Sequence, residues 1–314
     1  MKILITGGSG FVGSHLCDSL ISNGHEIVIF TRNPEKNQNI SHILDKITIE
    51  SVDVTDSSKL EKKILGIKPE IIFHLAGQTS HKLSFENPLY DIDANAKSTL
   101  TILETLRKSE LNSRFILGST FVVIGRPESL PINEDSPCNP TSIYGASRLA
   151  SENYCKIFNQ VYGLDIVTFR ITNSFGPREQ YLTSEKNAIN FLIYNASKGK
   201  EITIYNEGKF FRDVIYIDDV ISGLDTIMNK GKKGNLYWIS SNLVGIIIQY
   251  FTSGWGGLFP KKEVTSDTKP PEKELISDGQ DNERGNFSEN SGGSDGARNQ
   301  RAKRSSKRGS GRRN

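Results

Sequence analysis

Tyr144 and Arg148 stand four residues apart in Tyr144-Gly145-Ala146-Ser147-Arg148, a run that continues as Leu149-Ala150-Ser151-Glu152. Helical spacing puts the phenol and the guanidinium on one face. A free phenol has a pKa of about 10, so acting as a base near neutrality needs a shift of roughly 3 units, about 4 kcal/mol. A fixed cation one turn away contributes to that shift. Ser119 and Thr120 close the apolar run Arg114-Phe115-Ile116-Leu117-Gly118. A hydroxyl at such a strand end can hold a substrate oxygen beside the tyrosine. These residue types together suit proton exchange at an alcohol or carbonyl oxygen.

The start of the chain offers a partner for that chemistry. Lys2-Ile3-Leu4-Ile5-Thr6 reads as a buried strand, and Gly7, Gly10 and Gly13 then open a helix through Phe11, Val12 and Leu16. Gly7 suits a tight turn, Gly10 lets backbone approach a pyrophosphate, and Gly13 lets helix and strand pack closely. The first helical N–H groups, at Phe11 and Val12, face the anion at the positive end of the helix dipole. The spacing predicts a dinucleotide site.

Elements must bring these two ends of the site together. Strands are expected at 2–6, 26–30, 47–52, 70–75, 114–118 and 164–169, and helices at 11–23, 57–66, 94–109 and 143–162. Continuous apolar strands alternating with helices predict a doubly wound parallel α/β sheet of the Rossmann kind, with ligands at the carboxyl ends of the strands. A dinucleotide-binding domain is expected at 1–176. A small substrate lobe at 177–260 is expected to hold a helix near 186–198, strands at 202–205, 214–217 and 236–239, and a helix after Asp218-Asp219. Residues 261–314 contain one aromatic, Phe287, among Asn, Ser, Gly and charged residues, which reads as a disordered tail.

Charge is as uneven as hydrophobicity. The chain of 314 residues carries a formal +3, yet residues 297–314 hold eight Lys/Arg and no acid, leaving residues 1–296 at −5. The body is therefore not basic enough to bind nucleic acid by charge. The tail could touch phosphates, but no aromatic accompanies its basic residues, and a solvated extension is the expectation. Three cysteines, Cys17, Cys138 and Cys155, show no zinc spacing, so no metal is expected and reduced thiols fit a cytoplasmic protein. The apolar stretch Leu243–Phe259 is interrupted by Gln249, Thr252, Ser253 and several glycines, short of a membrane span.

The glycine turn, Asp53-Val54-Thr55-Asp56, Phe73-His74-Leu75-Ala76-Gly77-Gln78, the Ser119-Thr120 strand end, Tyr144-x-x-x-Arg148, Arg170-Ile-Thr-Asn173 and Arg212-Asp213 follow one another in fixed order. In that order the chain resembles the extended short-chain dehydrogenase/reductases, specifically the NAD-dependent epimerase/dehydratase group acting on nucleotide sugars, over roughly residues 1–240. The resemblance implies that Gly7, Gly10 and Gly13 hold the cofactor pyrophosphate, that Asp53 contacts adenine, and that Val54, Leu75 and Ala76 line the cofactor site. It implies catalytic roles for Thr120 and for Tyr144 as acid/base. Ser119 and Asn173 would touch substrate and Arg212 its diphosphate. It also implies a homodimer through the paired helices 94–109 and 143–162.

Three departures shape the expectation. Arg148 stands where the family has lysine; it keeps the charge but cannot present a compact ammonium to both ribose hydroxyls. This predicts reduced or lost turnover, raised by Arg148→Lys. Arg32 ends the second strand where NAD-selective members place an acid, which favours NADP somewhat over NAD. The family's C-terminal substrate-binding elements have no clear counterpart after Ser241. Phe121 and Val122, following Thr120, cannot transfer protons, which argues against dehydration. An NAD(P)-dependent nucleotide-sugar epimerase is the leading expectation. A keto-sugar reductase and a catalytically impaired cofactor-binding protein stay open.

Overall fold

A computed structural model describes residues 1–109, 111–182, 188–203 and 212–240. Seven parallel strands form the main sheet in the order β3-β2-β1-β4-β5-β6-β9. They are β1 (Lys2–Thr6), β2 (Glu26–Thr31), β3 (Ile47–Ser51), β4 (Ile71–His74), β5 (Arg114–Thr120), β6 (Ile166–Ile171) and β9 (Leu236–Ile239). Two short strands, β7 (Asn173–Phe175) and β8 (Val214–Tyr216), pair separately and also in parallel. The doubly wound sheet expected from the sequence is present.

Successive strand residues face opposite sides of a sheet, and here both sides are dry. Ile3, Ile5, Ile27, Ile29, Phe73, Ile116 and Val167 pack with Leu16, Leu20, Leu224 and Met228 from α1 (Phe11–Ser22) and α8 (Ile217–Lys230). Leu4, Val28, Phe30, Ile72, Phe115 and Leu117 pack on the other side. Their partners are Leu60 and Ile64 of α2 (Ser57–Ile67), Ile102, Leu103 and Leu106 of α5 (Ser98–Ser109), and Phe158 of α6 (Ile143–Tyr162). Burial on both faces is why the strands read as unbroken apolar runs. Local signals set the helix ends: Asp56 caps α2 by accepting from Lys59 N at 3.0 Å, and Ser142 caps α6 by accepting from Gly145 N at 3.1 Å.

Several elements differ from expectation. β5 continues through Ser119 and Thr120, whose register partners on β6 are Arg170 and Ile171. The strand expected at 236–239 in the small lobe is β9, which lies beside β6 in the main sheet and covers what would otherwise be its apolar edge. The segment before α5 holds two short helices, α3 (His81–Glu86) and α4 (Pro88–Ile92), and a π-helical turn at Asp93–Lys97. Their signals are capping residues: Ser80 accepts from Leu83 N, Asn87 accepts from Tyr90 N, and Pro88 occupies the first turn. In the lobe, α7 spans Ala188–Ser197. Of the strand expected at 202–205, residues 202–203 are not extended into a strand and 204–205 lie outside the described residues, as do 241–260 and the 261–314 tail.

Candidate active site

One cleft of about 880 Å³ runs across the carboxyl ends of the strands. Each strand delivers its residues there because β1 through β6 are in register and parallel: Thr6 pairs with both Phe30 and His74, and His74 pairs with Leu117. At one end lie Gly7, Gly10, Phe11, Val12 and Gly13, then Arg32, then Asp53 and Val54, then Leu75 and Ala76. Ser119, Thr120, Tyr144 and Arg148 line the middle, and Asn173 and Arg212 the far end. All sixteen residues singled out in the sequence thus face a single space.

The glycine turn is close-packed. Gly7 has a φ of +73°, and a Cβ there would come within 2.9 Å of Ala76 N. A Cβ on Gly13 would meet Gly7 O at 2.4 Å. Gly8, which the sequence pattern did not mark, fits only because a Cβ would press 2.4 Å from Ile29 Cγ2. Among the described residues no side chain caps α1. Its first-turn N–H groups therefore point at the cleft without a side-chain acceptor.

The hydroxyl and phenol ends are equally constrained. Thr120 Oγ1 accepts from Val122 N at 3.3 Å, which leaves its O–H to be donated. Tyr144 is buried, with Arg148 Cζ 5.9 Å from its ring centroid. Arg148 is only 4% exposed, and its Nε and Nη1 have no hydrogen-bond partner among the described residues. A buried guanidinium with two nitrogens unpartnered is costly, so the cleft is built to receive acceptors at this point. His81, unmarked by the sequence, lines the cleft with its ring edge-on to Tyr144 at 5.7 Å. Burial lowers its pKa, an effect that Asp91 opposes.

Ser119 is already engaged within the protein. Its Oγ donates to Glu152 Oε1, and Glu152 is clamped by Arg170 through Nε to Oε1 at 3.0 Å and Nη2 to Oε2 at 2.8 Å. The ion pair is buried, at 4% and 9% side-chain exposure. Ser119 can therefore offer the cleft only an acceptor. Asn173 is likewise engaged, donating from Nδ2 to Asp213 O at 2.9 Å, and so ties β7 to the segment that carries Arg212. Arg32 donates from Nη1 to the Tyr90 phenol, and Lys36 lines the same end of the cleft.

Comparison with known proteins accounts for this arrangement: residues 3–240 match the model of the NAD dependent epimerase/dehydratase family. The chain belongs to that family. Among relatives of this family member, a putative UDP-glucose 4-epimerase of Methanocaldococcus jannaschii is 35% identical over 218 residues, 69% of this chain and 70% of its own length. A UDP-glucose 4-epimerase of Mycolicibacterium smegmatis is 31% identical over 224 residues, 70% and 71% of the two chains. The crystal structure of the Thermus thermophilus UDP-glucose 4-epimerase in complex with NAD is similar at 28% identity. It has a TM-score of 0.69 and covers 77% of this chain and 78% of its own. No helix among the described residues is long and apolar enough to cross a membrane.

Proposed function

We propose that the chain is an NAD(P)-dependent nucleotide-sugar epimerase acting on a UDP-hexose, with Tyr144 as acid/base. The observation that carries this reading is the meeting of Tyr144, Thr120 and Arg148, with its Nε and Nη1 unpartnered, in one cleft, between an uncapped glycine turn and Arg212. The residues fit a dinucleotide. The glycine cradle and the first turn of α1 would hold its pyrophosphate, Asp53 its adenine, and Arg148 the sugar hydroxyls beside the nicotinamide. The bound nicotinamide supplies or accepts hydride at a sugar carbon.

The rest belongs to the chain. Tyr144 exchanges a proton with the sugar oxygen, and Thr120 donates its O–H to that oxygen. Ser119 accepts from a sugar hydroxyl, and Arg212 grips the diphosphate with its planar fork. Epimerisation is favoured over dehydration because Phe121 and Val122 hold no proton. The nearby carboxylate of Glu152 is also committed to Arg170. Among Thr31, Arg32, Asn33 and Lys36, which line the cleft beyond β2, none is acidic, so a 2′-phosphate is favoured over a free 2′-hydroxyl. A homodimer through α5 and α6 fits the exposure of Leu100, Ile157 and Val161.

The test supplies purified protein with UDP-glucose and UDP-galactose and follows their interconversion by NMR. Affinities for NADH and NADPH are measured by fluorescence in parallel. Tyr144→Phe lowers kcat by about 10²–10⁴-fold with dinucleotide affinity nearly unchanged. Absence of interconversion, or a Tyr144→Phe enzyme as fast as wild type, overturns the reading.

A further inference from the structure

The space around Arg148 contains a feature that the glycine turn does not explain. Gly77 lines the cleft, yet its φ lies outside the left-handed region, so the backbone does not demand glycine there. Space does. A Cβ on Gly77 would stand 2.6 Å from Arg148 Nη2, 3.2 Å from Arg148 Cζ and 2.4 Å from Asn95 Oδ1. Asn95 cannot retreat, because it is fully buried and donates from Nδ2 to Gln78 O at 3.0 Å. Its backbone carbonyl accepts from Thr99 Oγ1 at 2.9 Å and Ser151 Oγ at 3.1 Å, which fixes the residue's main chain. The guanidinium, 4% exposed, therefore fills a volume that any side chain at position 77 would take.

We infer that Gly77 is the positioning residue for Arg148, and that the two form one coupled adaptation of the cofactor site. The branched end of arginine needs the missing Cβ. Lysine ends at the level of Cζ and has no branch to collide. Arg148 is then a fitted residue rather than a compromised replacement, and Arg148→Lys weakens cofactor binding instead of improving turnover, the reverse of what the sequence pattern suggests. A methyl at 77 displaces the guanidinium from its place one turn below Tyr144. The inference rests on the proposed dinucleotide site for its functional consequence, but the packing claim stands without ligand.

A double-mutant cycle on the full chain tests it, using Gly77→Ala, Arg148→Lys and the double variant. Thermal unfolding without ligand and fluorescence titration with NADH and NADPH are the readouts. Gly77→Ala is expected to lower Tm by about 3 °C or more and to weaken dinucleotide binding about tenfold. In the Arg148→Lys background the same change costs less than about half the Tm loss and about threefold in affinity, the remainder reflecting Asn95. If Gly77→Ala does not fold, folding of the double variant supports the coupling and its failure refutes it. Equal costs in both backgrounds overturn the inference. A wild type that binds neither dinucleotide sinks the proposed function, while the ligand-free cycle still decides the pair.

Discussion

Acid should unfold this protein partly through one histidine. His74 is fully buried at the end of β4, with Nδ1 2.8 Å from Thr6 Oγ1 and Nε2 3.2 Å from Ser98 Oγ. Ser98 already donates to Ala94 O at 2.8 Å, so it can only accept from Nε2–H. Thr6 then donates to Nδ1 and accepts from Ala76 N at 3.1 Å, so every group is satisfied by the neutral ring. Burial, and secondarily the charge of Arg148, lower its pKa from 6.5 to about 3. The unfolded chain therefore binds a proton that the native state refuses. The resulting stability is complete above the unfolded pKa and is lost as pH falls from 6.5 toward 3. Between pH 7 and pH 5 this linkage removes about 2 kcal/mol, or roughly 4–8 °C in Tm. The assay is urea unfolding of wild type and His74→Gln at both pH values. His15, His25, His42 and His81 are common to both proteins, so the difference between the two pH responses isolates His74. The variant is about 1 kcal/mol less stable at pH 7, but it should lose about 2 kcal/mol less on acidification. Parallel pH responses would refute the buried neutral tautomer.

Two further substitutions probe the scaffold around the cleft. Glu152→Ala leaves Arg170 buried without its carboxylate and should cost about 3–5 kcal/mol in urea unfolding, whereas an exposed pair such as Lys97–Asp93 should cost under about 1 kcal/mol. Gly13→Ala places a methyl 2.4 Å from Gly7 O and 2.8 Å from Gly8 Cα, both backbone atoms that cannot swing away. It should destabilise the fold by about 1–3 kcal/mol. It should also abolish measurable dinucleotide binding at concentrations that saturate wild type, checked by fluorescence titration.

The strand ends were readable in the sequence because burial on both sheet faces leaves an unmistakable apolar run, and because glycine and hydroxyl residues interrupt it at the ligand side. That is enough to place Gly7, Asp53, Thr120 and Tyr144 on one cleft without knowing the topology. The short helices around His81 and Tyr90 were not readable: each spans under two turns, too short for periodicity, and only capping by Ser80 and Asn87 and the first-turn Pro88 mark them. His81 consequently escaped notice, and Lys36, in the loop after β2, carries no pattern that marks it. The joining of β9 to β6 escaped for another reason: a four-residue apolar run carries no information about its partner.

The deepest omission was Glu152, although its signal was present. Tyr144, Arg148 and Glu152 recur at four-residue intervals along α6, so a single stripe of the helix carries a phenol, a cation and a carboxylate. Reading that stripe as one active-site array would have made Glu152 a proton donor. The structure divides it instead. The first two positions open on the cleft, while the third meets Arg170 of β6, whose guanidinium also lies 5.7 Å from the Trp238 ring of β9. The ion pair thus fastens α6 to the far strands of the sheet, and its Glu152 carboxylate accepts the hydrogen bond that Ser119 donates. A carboxylate held by two hydrogen bonds from Arg170 fixes the helix that carries Tyr144. Under the proposed epimerase reading, proton exchange then falls to the Tyr144 phenol and the Thr120 hydroxyl.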